Sequence, residues 1–387
     1  MRMPDKRMHH PNKNPNVQMT SEANQQLPRV AWWCKSTDLK IASVRMRAAI
    51  LMRSMSQQGV HAGWFTEKDA SDFNCVVVSK RYDDETLLRL RRFKQAGGRV
   101  VIDLCDNQFV AASQSQKHLH QVENLRAMVG LAHAVVTSAE PLAQIVLREC
   151  PGAAQVVVIG DVPDDLSIVQ ACALRRAWAK LIAARERSCL NQLAPEGVTR
   201  LVWFGNSAGR QKKSGMTDLA RVLPILEKLN KTHPLNLTVI SNSKRLYKEQ
   251  IACATLPSRY VEWDALTFEA VLSDQHIALI PATPNEFTSS KSDNRVVTAM
   301  RAGLAVVADP VPSYLAHGDV IHVGDIEGGL RHYLNDPALR AQQSLKGRER
   351  ALLGGLAERV VAQWLLVTKP DHRPQPIGSD GPLSPLS

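Results

Sequence analysis

The sequence predicts an α/β protein built from two parallel-sheet domains in tandem. Three observations carry that prediction. Short apolar runs alternate with helical patterns along most of the chain, the runs fall into two sets of six, and a basic helical stretch separates the sets. At 387 residues the chain is long for one domain, and about 150 residues per domain allows two to three. The six-and-six division selects two.

Residues 1–28 are polar, rich in Asn, Gln, Lys and His, and without periodicity, so they read as a disordered arm. The first domain, 29–165, holds the strand candidates RVAWWC (29–34), VHAGWF (60–65), NCVVVS (74–79), RVVIDLC (99–105), AVVTS (134–138) and QVVVIG (155–160). The gaps between them hold crossover helices; in one, Val44, Ala48, Leu51 and Met55 form an apolar stripe. A helical connection, 166–199, follows. In its stretch IVQACALRRAWAKLIAARERSCL, Arg175, Arg176, Lys180, Arg185 and Arg187 face a single acid, Glu186, which fits either a solvated interdomain helix or contact with an acidic membrane surface. The second domain, 200–368, repeats the pattern with RLVWFG (200–205), NLTVIS (236–241), SRYVEW (258–263), HIALIP (276–281), LAVVAD (304–309) and DVIHVG (319–324), and residues 369–387 read as a disordered tail. Two such domains create a cleft between the carboxyl ends of two sheets, where open α/β folds bind ligands.

Composition narrows the functional classes. Hydrophobic residues make up 44% of the chain and charged residues 22%, the proportions of a globular protein. No run approaches the roughly 18 consecutive apolar residues of a membrane span, and the amino terminus has no apolar signal core. A soluble cytoplasmic protein is expected, with peripheral contact at the inner membrane surface as the alternative. Its net charge of +11 implies attraction to an anion. Nucleic acid is disfavoured, because no binding module or aromatic-basic interleaving is present. Seven cysteines without CxxC or metal-like spacing read as small apolar residues in a reducing compartment. No histidine pattern supports a metal site.

The strongest candidate site lies in residues 276–309, which parse as strand, polar loop, helix and strand. Ser292 or Asp293 can cap a helix from Asn294 to Ala302 that Gly303 ends. Lys291, Ser292, Asn294 and Arg295 then gather at a helix amino terminus, whose free N–H groups and partial positive charge suit a diphosphate. A second candidate is the strand-to-helix turn FGNSAGRQKKSGM, with Gly205, Asn206 and Lys213. In the first half, Asp103 and Asp106 end a strand at the cleft rim, where a carboxylate can act as a base or bind sugar hydroxyls; capping of a turn by Asp106 and Asn107 is the plainer alternative. Ser43 as N-cap, followed by Arg45 and Arg47 in a first turn, suggests an anion nearby. Trp263, at a strand end, can stack on a nucleobase or pack at the rim.

These segments resemble the GT-B fold glycosyltransferases, similar to the family-four-like group of nucleotide-sugar enzymes. LVWFGN resembles that group's opening strand and turn, and KSDNRVVTAMRAGLAVVAD its donor loop, helix and strand; VVIDLCDNQF and AHAVVTSAEPLAQIV resemble first-domain segments. The likeness covers about residues 29–368 and implies two Rossmann-like domains with an interdomain cleft. It implies a hexosyltransferase of polysaccharide biosynthesis that takes a sugar from a nucleotide-sugar held by the second domain. The acceptor, held by the first, is a glycan, a lipid-linked sugar or a protein; neither metal nor other cofactor is required, and the anomeric configuration is retained. By position, Gly205, Asn206 and Lys213 line the phosphate side, Ser292 and Asn294 approach the diphosphate or sugar, and Asp106, Lys291 and Arg295 are the catalytic candidates. The family usually has two glutamates separated by seven residues, and here those positions are Ser290 and Thr298. The glycine-rich loop common after the first strand is also absent. A degenerate cleft that binds nucleotide or glycan without catalysis is the alternative.

Overall fold

A computed structural model describes residues 27–66, 70–110, 115–206, 214–353 and 356–369. The apolar runs are rich in Val, Ile and Leu, and each becomes a strand: β1 (Arg29–Cys34), β2 (His61–Trp64), β3 (Cys75–Ser79), β4 (Arg99–Leu104), β5 (Ala134–Thr137) and β6 (Val156–Val158) in the first half. The second half contributes β7 (Thr199–Phe204), β8 (Leu235–Ser241), β9 (Ser258–Glu262), β10 (Ile277–Ile280), β11 (Ala305–Ala308) and β12 (His322–Val323). All neighbouring strands pair parallel. Every residue of β3, β5, β8, β10 and β11 is buried, as parallel strands covered by helices on both faces must be.

The first sheet has the order β2-β1-β3-β4-β5-β6 and the second β12-β11-β10-β7-β8-β9. Counted from its own first strand, the second is the Rossmann order 3-2-1-4-5-6. Each sheet winds outward from a reversal of strand order, β1 beside β3 and β7 beside β10. Loops diverge at such a switch point and open a crevice at the carboxyl ends. Alternation along the strands divides each core in two: Trp32 packs in one cluster with Leu51 and Met55 and Trp33 in another with Leu90 and Leu104; Trp203 shares a cluster with Leu219 and Leu226, and Phe204 one with Val296 and Met300.

Two differences from the predicted organisation matter. The last described helix, Leu356–Thr368, does not complete the second domain. It buries Val360, Val361, Trp364 and Val367 in the core of the first sheet, with the Trp364 and Trp32 rings 6.0 Å apart and the Val367 carbonyl accepting from Arg99 Nε at 2.7 Å. The connecting helix, Ala173–Leu193, is seated on the second domain by Arg187–Asp274 (2.9 Å) and Arg259–Glu186 (3.0 Å).

Candidate functional site

At the second switch point, β7 ends in Trp203 and Phe204 with Gly205 just beyond, and Arg295 lies on the first turn of the helix Asn294–Arg301 beside them. The predicted stop holds, since Gly303 follows that helix at φ +79°. The Arg295 guanidinium carbon stands 5.5 Å from the Trp203 ring and 5.8 Å from the Phe204 ring. A Cβ on Gly205 would sit 3.2 Å from the Trp203 ring and 3.8 Å from that carbon, so glycine here lets the backbone pass close over both. Arg295 Nε and Nη2 are buried and have no hydrogen-bond partner among the described residues. Burial lowers the Arg295 pKa, and Tyr314 and Asp218 only partly oppose it. Asp218 is itself engaged, accepting from Gly215 N (2.9 Å), Thr283 N (2.9 Å) and Thr283 Oγ (2.6 Å). It ties the start of the helix Met216–Asn230 to the loop after β10. Asn206 is exposed beside this site, and Lys213 lies outside the described residues.

Ser292 and Asn294 differ from their predicted role. Ser292 Oγ donates to Asp161 Oδ2 at 2.6 Å and Asn294 Nδ2 to the same oxygen at 3.2 Å, so a carboxylate from the loop after β6 already holds these donors. Arg47 grips the same Asp161 from the other side at 3.1 Å, which makes the carboxylate a clamp between the domains. Asp293 provides no side-chain cap and meets His317 Nε2 at 2.7 Å instead.

The first-domain cations also have partners within the fold. Arg45 forks onto Asp164 at 2.9 and 2.6 Å and covers the Trp263 ring at 5.2 Å. Arg45 is therefore not free to hold an external anion, and one face of Trp263 is occupied. Asp103 is fully buried, within 2.6 Å of Arg47 and accepting from Ser79 Oγ at 3.1 Å. It is a core ion pair rather than an acceptor contact, because β4 extends through Leu104 and keeps it inside the sheet. Burial would lower the Arg47 pKa, but Asp103 and Asp161 push it above its usual value. A π-helical turn, Arg45–Ala49, aims both arginines inward.

Asp106 does emerge at the rim, where four residues from both domains meet. Lys80 Nζ lies 2.8 Å from Asp106 Oδ2 and 3.2 Å from Ser43 Oγ, and Lys291 Nζ of the second domain lies 3.9 Å from Asp106 Oδ1. Ser43 is not an N-cap, since the helix starts at Ala42 after Ile41. Burial would raise the Asp106 pKa, but Lys80 and Lys291 hold it below the ordinary value. The carboxylate is a weak base there, suited to orienting hydroxyl groups. Asn107, not Asp106, caps the following turn, accepting from Phe109 N at 3.0 Å. Lys80, which the sequence analysis missed, has a left-handed φ of +58° and follows β3 as Asp106 follows β4. A polar residue just past an apolar run is the signal that would have found it.

The positions of the expected glutamates hold no acid. Ser290 is buried and donates to its own loop at Phe287 O (3.0 Å). Thr298 borders an interdomain cavity of about 280 Å³ with Asp161, Asp164, Asn294 and Arg359. Burial pushes the thiols of Cys34, Cys75 and Cys105 up to about 12, so they pack as inert groups. Among the described residues no group of three or more His, Cys, Asp or Glu is arranged to hold a metal.

Two doubly wound domains in tandem, with a final helix returning to the first, form the GT-B fold of glycosyltransferases. The chain is similar to sucrose-phosphate synthase from Thermosynechococcus elongatus (TM-score 0.58, 13% identity, 87% of this chain and 97% of that one). It is also similar to Anabaena HepE in complex with UDP and glucose (TM-score 0.59, 12% identity, 87% and 99%) and to Staphylococcus aureus TarM in complex with UDP (TM-score 0.51, 11% identity, 76% and 55%). No protein-family model and no curated protein matches the sequence.

Proposed function

We propose that this protein is a glycosyltransferase in which Arg295 receives the diphosphate of a nucleotide-sugar at the second switch point. The observation that carries this is the buried guanidinium with Nε and Nη2 unpartnered. Leaving such donors unmet costs free energy, and an anion between Gly205 and the helix start would meet them in a bidentate fork. The bound nucleotides of the HepE structures agree with it. In transfer, negative charge grows on the departing diphosphate, and a cation fixed beforehand stabilises it without reorganising. Lys291, whose ammonium lies 4.5 Å from the Phe287 ring, is the second cation and takes with Arg295 the part a divalent ion plays elsewhere. Asp106, Lys80 and Ser43 would orient an acceptor hydroxyl from the first domain, the acceptor being a glycan, a lipid-linked sugar or a protein.

Thermal shift against UDP, GDP, dTDP, CDP and ADP tests the donor site. One nucleotide should stabilise the wild type and fail with Arg295→Ala plus Lys291→Ala; no shift from any would remove the assignment. Ser290 and Thr298 favour a second reading, a cleft that binds nucleotide without transfer. Release of free nucleoside diphosphate from the preferred nucleotide-sugar, in the presence of a cell extract, separates the two. A rate no higher than the double variant's leaves binding alone.

A further inference from the structure

The connecting helix Ala173–Leu193 carries an apolar stripe covered by no other part of the described chain. Leu174, Trp178 and Leu181 recur at i, i+4 and i+7, on one face, and are 81%, 63% and 64% exposed. Ala179 and Leu190, roughly opposite, are the buried residues that seat the helix. Arg185, four residues past Leu181, prolongs the exposed face, and Lys180 flanks it. Neither makes an ion pair among the described residues, whereas Arg175 and Arg187 are engaged by Asp264 and Asp274. The helix's one acid, Glu186, is held by Arg259. The other strongly apolar helix near the carboxyl end, Leu356–Thr368, instead turns Val360, Val361, Trp364 and Val367 into the first core.

We propose that this face docks on an anionic lipid bilayer, with the helix lying in the plane of the headgroups. Trp and Leu enter the acyl boundary while Lys180 and Arg185 meet lipid phosphates, the division of labour of an interfacial helix. Charge selects lipid over a second copy of the chain, because two such faces would bring Lys180 and Arg185 against their own kind. The net charge of +11 adds attraction of the same sign. The docking holds whether or not the cleft transfers sugar.

Flotation of the full chain with vesicles of phosphatidylcholine, alone or with about one third phosphatidylglycerol, tests it. The wild type should float with the anionic vesicles and stay behind with the neutral ones. Lys180→Ala plus Arg185→Ala should weaken partition by about fivefold per residue. Leu174→Ser, Trp178→Ser and Leu181→Ser together should abolish it, with an unchanged melting temperature showing that the variant is folded. A wild type that does not float, or a triple variant that floats equally well, overturns the proposal. So does a wild-type dimer that the triple variant dissolves without either binding vesicles, which would assign the stripe to self-association.

Discussion

The two switch points use the same kind of residue to opposite ends. Beside the first sheet, Arg45 and Arg47 project from a helix and each finds a carboxylate of the fold, Asp164 for one and Asp103 with Asp161 for the other. Beside the second sheet, Arg295 also projects from a helix start, yet it lies over two aromatic faces and, among the described residues, keeps two buried N–H donors unmet. An arginine whose anion is built in serves as scaffold. One whose donors the fold leaves unmet is the residue we propose to meet an anion from outside.

Arg47→Ala should have the largest effect. It strands Asp103 and Asp161 without their cation, and breaking a buried pair costs about 3–5 kcal/mol, read as a lower urea midpoint. Arg295→Met should behave in reverse. Removing unmet buried donors should leave stability within about 1 kcal/mol of wild type, or raise it. Nucleotide affinity should fall by about ten- to a hundredfold, the loss of one or two charge-assisted hydrogen bonds. Equal destabilisation by both substitutions would erase the contrast and make Arg295 scaffold as well.

Asp161 tests the boundary between the regions, since its carboxylate serves Arg47, Ser292 and Asn294 at once. Asp161→Asn keeps the shape and removes the charge, so a loss of about 1–3 kcal/mol is expected. If Ser292 and Asn294 are released to the cleft by this change, nucleotide affinity should rise. Unchanged affinity would leave them as clamp residues only.

All twelve strands were legible as short apolar runs, and those buried along their whole length, β3, β5, β8, β10 and β11 among them, read as continuous ones. Gly303 announced a helix end. Pairing was not legible. Arg47 and Asp103 are 56 residues apart, Arg45 and Asp164 are 119, and Ser292 and Asp161 are 131. Nothing local encodes such meetings. Asp103 and Asp106 looked equivalent at a strand end, but where β4 stops put one in the core and the other at the rim. The final helix has an apolar face that fits either sheet, and its sequence does not name which.

The Asp106 cluster falls between the two extremes, and the smallest predicted effect decides which it joins. Its carboxyl is held below the ordinary aspartate value of about 3.9, so the stability it contributes is present above that pH and is lost as pH falls through the lower folded value. Asp106→Asn should therefore cost stability near neutrality, and the difference from wild type should shrink below about pH 4. The effect will be modest because Asp106 and Lys80 are partly exposed. Lys80, at 2.8 Å, should hold the carboxyl more firmly than Lys291, at 3.9 Å and from the other domain. Urea midpoints over an acid series should show Lys80→Met flattening the pH dependence more than Lys291→Met. An equal flattening would mean that Asp106 already satisfies Lys291, placing that lysine with Arg45 and Arg47 and leaving Arg295 to meet the diphosphate alone.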